Sequence, residues 1–156
     1  VKTDKVSDKG YTVFTDSVDG SGEKEGVYYQ YFDADLGRPV VNEGEDGLQK
    51  LDYALYKAEQ EGIRLLITFT NNWEAFGGMG QYVQWAKLAG ENVSGHDDFY
   101  TNETIKGWYK DYIKTLLNHE NVYTGVKYKD DPTISHGNWR MNLAVNPMQA
   151  VKTTPL

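Results

Sequence analysis

The sequence predicts an α/β fold with parallel crossovers, and three observations lead there. Leu48, Leu51, Leu55 and Ala58, and later Ile105, Trp108, Tyr109, Tyr112, Ile113, Leu116 and Leu117, repeat with a helical apolar period. Between them Ile63-Arg64-Leu65-Leu66-Ile67-Thr68-Phe69-Thr70 is nearly all apolar, the pattern of a strand buried on both faces. Asp130-Asp131-Pro132 then interrupts the chain before a new extended run at Thr133-Ile134. Strands separated by helices pair in parallel, because a helical crossover returns the chain to the same end of the sheet.

Each element has a local reason. Val1 to Lys9 is charged and shows no period, whereas Tyr11 to Thr15 alternates enough for a short strand. Asp19-Gly20-Ser21-Gly22 is turn chemistry. Val27 to Phe32 is aromatic and β-prone, and Gly37, Pro39, Gly44 and Gly47 predict a loop after it. Asp46 followed by Gln49 resembles a capping box for the first helix, and Gly62 suits its C-terminal stop. After the apolar strand, Asn71 to Met79 opens into a loop, and Gln81 to Leu88 predicts a second helix. A polar loop through Gly90 and Gly95 leads to a third helix, capped by Thr101 or Asn102. No repeat or linker divides the chain.

Composition narrows the function classes. The chain has 156 residues, 16 Lys+Arg, 23 Asp+Glu and a formal net charge of -7. That balance argues against a nucleic-acid partner, which calls for a basic stripe. Mean hydropathy is -0.65 and no apolar run approaches the roughly 18 residues of a membrane span, so no membrane partner is expected. With no cysteine there is no disulfide framework, thiolate zinc site or thiol nucleophile. Val1-Lys2-Thr3-Asp4-Lys5 lacks the apolar run of a secretory signal, so a signal is expected to be absent or already removed. Aromatic content is high, with four Trp, 12 Tyr and 5 Phe. Flat rings beside acids and amides suit either a Tyr-rich core or a sugar-binding cleft.

Ligands of parallel α/β folds bind at the carboxyl ends of strands. Asn71, Asn72 and Trp73 fall there: two amides to pair with hydroxyls and an indole face to stack on a sugar ring. The alternative is that both amides cap the loop and Trp73 packs beneath it. His96, His119 and His136 show no ligand spacing. His96, Asp97 and Asp98 read as a solvated loop or helix-start acids rather than metal ligands. Gly77-Gly78 lacks the Lys and the spacing of a phosphate loop, so no nucleotide is expected. Asn92-Val93-Ser94 and Asn102-Glu103-Thr104 match the glycosylation sequon. No catalytic carboxylate pair can be chosen from 23 acids.

Several segments together carry a specific resemblance. These are Gly26 to Asp33, Gly47 to Tyr53, Thr70-Asn71-Asn72-Trp73, Phe76-Gly77-Gly78-Met79 and Gln81-Tyr82-Val83-x-Trp85. His96 to Thr101, Trp108-Tyr109-Lys110, Thr124-Gly125-Val126 and Lys129 to Ile134 continue it in register. The chain resembles the endo-1,4-β-mannanases of glycoside hydrolase family five from residue 26 to 134. The resemblance implies a partial (β/α)8 TIM barrel, about strands two to four with their helices. It also implies β-mannan or a related polysaccharide as partner, no cofactor, an extracellular location and a retaining mechanism. Retention uses two carboxylates about 5 Å apart.

The same resemblance exposes two departures. The family's acid/base motif, Trp-Glu-Leu-x-Asn-Glu-Pro, belongs just after Ile134, where this chain reads Ser135-His136-Gly137-Asn138-Trp139-Arg140-Met141-Asn142. Codons taken from the third base of one residue through the second of the next force Leu at Asn138-Trp139 and Glu at Met141-Asn142. The remaining junctions permit Trp-Glu-Leu-Ala-Asn-Glu-Pro-Arg-Cys. Residues 135–156 are therefore expected to be an out-of-frame tail, and 1–134 a partial barrel domain. At the other end, Tyr11 to Val18 lacks the Arg and Trp of the family's second strand. The expectation is a mannanase-derived chain without assignable catalytic residues, with Asn71, Asn72 and Trp73 as its sugar contacts and Trp85 as packing. A catalytically dead carbohydrate-binding protein and a non-functional remnant are the alternatives.

Overall fold

The computed structural model describes residues 4–7, 10–14, 27–72, 78–135 and 140–142. Four strands pair antiparallel in the order β1 (Asp4–Ser7), β2 (Gly10–Phe14), β3 (Gln30–Asp33) and β4 (Arg38–Val41). The short strand expected at Tyr11 is β2, whereas β1 lies in a stretch with no sequence period. The turn expected at Asp19 to Gly22 lies outside the described residues.

The loop expected around Gly37 and Pro39 is instead a hairpin. Asp33 Oδ1 accepts from the N–H groups of Asp35 and Leu36, at 2.9 and 3.1 Å, and Gly37 supplies a φ of 62°. Pro39 faces Phe32 on β4, the last strand of its sheet, so the missing N–H leaves no gap in a central ladder. Turn residues alone did not reveal this, because register supplied by β3 overrides the local breaker signal.

α1 (Leu48–Gln60) buries Leu48, Leu55 and Ala58 as its period requires, and Gly62 follows it at φ 64°. Its expected capping box does not form. Gly47 occupies the N-cap position, and Asp46 Oδ1 accepts from Asn42 Nδ2 at 3.0 Å. The Asn42 carbonyl instead receives the Leu48 N–H at 2.9 Å. That backbone cap requires close approach: a Cβ on Gly47 would lie 2.1 Å from the Asn42 carbonyl oxygen.

β5 (Thr68–Asn71) follows, preceded by a parallel bridge between Leu65 and Ile134. Leu65, Ile67 and Phe69 pack with Leu48, Leu55, Tyr112, Leu116, Tyr128 and Ile134 in one apolar cluster. Burial on both faces, expected from the apolar run, is not met. Ile63 and Leu66 are 51% and 54% exposed, so burial is confined to the later part of the run, where adjacent Phe69 and Thr70 are both buried.

The crossover runs through α2 (Met79–Leu88), α3 (Asp98–Thr101) and α4 (Glu103–Asn118). Asn102 Oδ1 caps α4 by accepting from Ile105 N–H at 3.0 Å. Met79, Tyr82, Trp85, Phe99 and Ile105 form a second cluster with Phe32, and Tyr109 packs against both clusters. β6 (Arg140–Asn142) then returns parallel to β5, with Arg140 opposite Thr68 and Asn142 opposite Asn71. This is the expected α/β crossover. Register changes along it: Thr68 lies three residues beyond Leu65, while Arg140 lies six beyond Ile134. No described helix is long and apolar enough to cross a membrane.

Candidate functional site

Asn71 is the last residue of β5 and is half-buried, with Asn142 as its register partner on β6. Two parallel strands therefore end side by side, the place where such folds collect ligand-binding loops. Asn72 follows immediately, also half-buried, and Trp73 lies outside the described residues. Trp85 is fully buried, as its expected packing role requires.

Asn72 is held by a residue that sequence spacing assigned to a solvated loop. His96 Nε2 lies 2.9 Å from the Asn72 carbonyl, and a carbonyl only accepts, so the nitrogen facing it donates. The other ring nitrogen lies 3.2 Å from Asp97 Oδ1. The His96 ring meets Tyr100 edge-on at 6.3 Å, and the Tyr100 hydroxyl points to Met79 Sδ at 3.2 Å. His96 thus joins the loop after β5 to α3. A 24-residue separation hides this contact from any local pattern.

Asp98 behaves as a helix-start acid. Its Oδ2 accepts from the N–H groups of Gly95 and Ser94, which hold its carboxyl below the usual carboxylate range. Among the described residues no group of three or more His, Asp or Glu could hold a metal ion. Of the sequon asparagines, Asn92 is exposed and Asn102 is used as the α4 cap. β6 brings Arg140, Met141 and Asn142 beside β5, with no acid among them.

Sequence reasoning also missed a buried polar cluster. His119, which ends α4, places Nε2 3.0 Å from both Asp52 carboxylate oxygens and Nδ1 3.0 Å from Glu43 Oε1. Asp52 is fully buried on α1 and also accepts from the Tyr128 hydroxyl at 2.6 Å and Val122 N–H at 3.3 Å. Burial by itself lowers the His119 pKa, but the hydrogen bonds and charges of Asp52 and Glu43 outweigh it and the net shift is upward. Burial, reinforced by Asp52, pushes the Tyr128 phenol far up. The available signal was Asp52 itself, an acid inside the apolar stripe between Leu48 and Leu55.

Beside the cluster a cleft of about 190 Å³ separates β4 from α4, with Arg38, Glu43, Trp108 and Asp111 among its lining residues.

Two parallel strands joined through a helical crossover define an α/β segment. The chain belongs to glycoside hydrolase family 5: the model of the beta-mannosidase-like members matches residues 35–155. Mannan endo-1,4-beta-mannosidase 3 of Arabidopsis thaliana is 52% identical over 90 residues, 58% of this chain and 22% of that protein. Mannan endo-1,4-beta-mannosidase 1 of Oryza sativa subsp. japonica is 42% identical over 93 residues, 60% of this chain and 22% of that protein. The endo-1,4-beta-mannanase of Rhizomucor miehei superposes with a TM-score of 0.66 at 42% identity, covering 75% of this chain and 31% of that one. The endo-beta-1,4-mannanase of Thermotoga petrophila gives 0.52 at 49% identity, covering 60% and 20%. The fold is accordingly part of a (β/α)8 barrel. The chain spans about a fifth of the length of the curated relatives it matches.

Proposed function

We propose that this chain is a segment of an endo-1,4-β-mannosidase barrel whose Asn71, Asn72 and Trp73 contact β-mannan or glucomannan. The observation that carries the reading is the place of Asn71 and Asn72 at the end of β5, in a segment that bridges in parallel from Leu65 to Ile134. It occurs in a chain about half identical, over the matched stretch, to mannan endo-1,4-beta-mannosidases. Amides there can donate to and accept from sugar hydroxyls, and an indole offers an apolar face to the ring. A polymer of this kind is met outside the cell, so the reading places the protein there.

Retaining hydrolysis requires an acid/base and a nucleophile, both carboxylates. Among the described residues, those that β6 sets beside β5 are Arg140, Met141 and Asn142, none of them an acid, and the reading expects negligible hydrolysis by this chain alone. Residues 135–156 are read as an out-of-frame tail. The change of register past Ile134 supports that reading, while the family match continues to residue 155. The encoding DNA decides: an alternate-frame Asn-Glu-Pro under Arg140 to Leu143 is expected, and its absence overturns the frame reading.

Calorimetric titration of the purified chain with manno-oligosaccharides tests the site. Trp73→Ala is expected to weaken binding about tenfold, with smaller losses for Asn71→Ala and Asn72→Ala. Binding indifferent to all three substitutions overturns the site. Mutation-sensitive release of reducing sugar overturns the non-cutting reading.

A further inference from the structure

The cluster around His119 is closed and internally complete, and it joins parts of the chain far apart in sequence. Glu43 precedes α1, Asp52 lies on α1, His119 ends α4, and Val122 and Tyr128 belong to the segment leading toward Ile134. Two donors converge on Asp52, the Tyr128 hydroxyl and the Val122 N–H, and His119 Nε2 lies 3.0 Å from both of its oxygens. The other ring nitrogen of His119 meets Glu43 Oε1 at the same 3.0 Å. A neutral imidazole has one N–H and could serve only one of these carboxylates. The second contact would then set a lone pair against a carboxylate oxygen.

We propose that His119 is held as an imidazolium clasp between Glu43 and Asp52, so that the packing of α4 against α1 loosens as the medium becomes alkaline. The groups facing the ring are Glu43 from the segment before α1, Asp52 from α1, and Tyr128, whose ring meets it edge-on at 5.1 Å. Asp131 and Tyr29 act on Tyr128, and Tyr29 is itself influenced by Asp52. Glu120 and Lys127 pair through their backbones in the segment after His119 and are exposed. Arg38 lines the cleft that Glu43 also lines.

The sign follows from the upward net shift of His119. The folded state holds the proton more tightly than the unfolded chain, so the clasp's contribution is complete below the unfolded histidine value of about 6.5. It disappears as pH rises through the higher folded value. Glu43 is the lever, because its side chain is 56% exposed while Asp52 is fully buried. Removing the Glu43 charge therefore changes the clasp with little effect on the core.

Nitrogen-15 NMR of the intact, histidine-labelled chain tests the proposal directly. At about pH 7 both ring nitrogens of His119 are expected to be protonated. A neutral ring with one bare nitrogen at that pH overturns the clasp. In Glu43→Gln the midpoint of the His119 titration is expected to fall by about one pH unit. An unchanged midpoint overturns it as well. The urea midpoint of the unaltered chain should decline as pH rises above about 6.5, and a flat profile counts against the proposal. Because the ring readout comes from unaltered protein, it does not depend on whether a His119 variant folds.

Discussion

The Tyr128 hydroxyl donates to Asp52 Oδ1 at 2.6 Å across 76 residues of sequence. Both side chains are fully buried, and His119 Nε2, 3.0 Å from both Asp52 oxygens, completes the same carboxylate's shell. Tyr128→Phe removes one donor and keeps the ring, so a loss of about 1–2 kcal/mol is expected. Asp52→Ala leaves the His119 ring without its buried counter-charge, and about 3–5 kcal/mol is expected. Urea denaturation at neutral pH should rank the two in that order.

Alkaline titration of the tyrosines should be coupled to unfolding. Burial raises Tyr29 and Tyr109 from 10.0 to about 12, with Asp52 adding to the effect at Tyr29. The neutral phenol is favoured in the fold, so the unfolded chain releases its protons first. The tyrosines' contribution to stability is therefore whole below about pH 10 and falls as pH rises toward 12. Absorbance at the phenolate band and circular dichroism are expected to change together in that window. Full ionisation of every tyrosine near pH 10 with native dichroism would contradict the burial.

Two glycines should respond in opposite directions to alanine. Gly107 lies within α4, is exposed, and has nothing within 4 Å of an added Cβ. Gly107→Ala is expected to stabilise the chain by about 0.5–1 kcal/mol, because helix propensity rises without a clash. Gly47→Ala would place its Cβ 2.1 Å from the Asn42 carbonyl that caps α1. A loss exceeding about 2 kcal/mol is expected there. Thermal melts of the two variants check both signs.

His96→Ala should separate the candidate site from overall stability. The side chain is 39% exposed, but its Nε2 holds the Asn72 carbonyl. Losing one hydrogen bond that orders a binding loop is worth about 1 kcal/mol, so manno-oligosaccharide binding should weaken roughly fivefold. The urea midpoint should scarcely move. Unchanged binding would show that the tether does not serve the site.

The elements most legible in sequence were those whose pattern is local. The α4 stripe, a cap at Thr101 or Asn102 that the fold assigns to Asn102, the Gly62 stop after α1 and the parallel return at Ile134 were all readable. Asp46 was misread because it satisfies the capping pattern while its carboxylate is engaged by Asn42. The β3–β4 hairpin was hidden by Pro39, a breaker that an edge strand tolerates. At the site, Asn71 and Asn72 could be located from where the apolar strand ends. The His96 tether could not, since nothing near His96 in sequence names its partner.

By itself, the sequence determined the helix periods, the α/β order, the family resemblance and the loss of the expected acid/base motif after Ile134. Those depend on residue type and spacing along the chain. Only the tertiary structure decided that Leu66 stays exposed, that Asn142 stands beside Asn71, and that Asp52, His119, Glu43 and Tyr128 meet. The physical reason is distance along the chain. Burial and ion pairing act between groups brought together by packing, and a pattern confined to one helix or strand carries no record of what lies across from it.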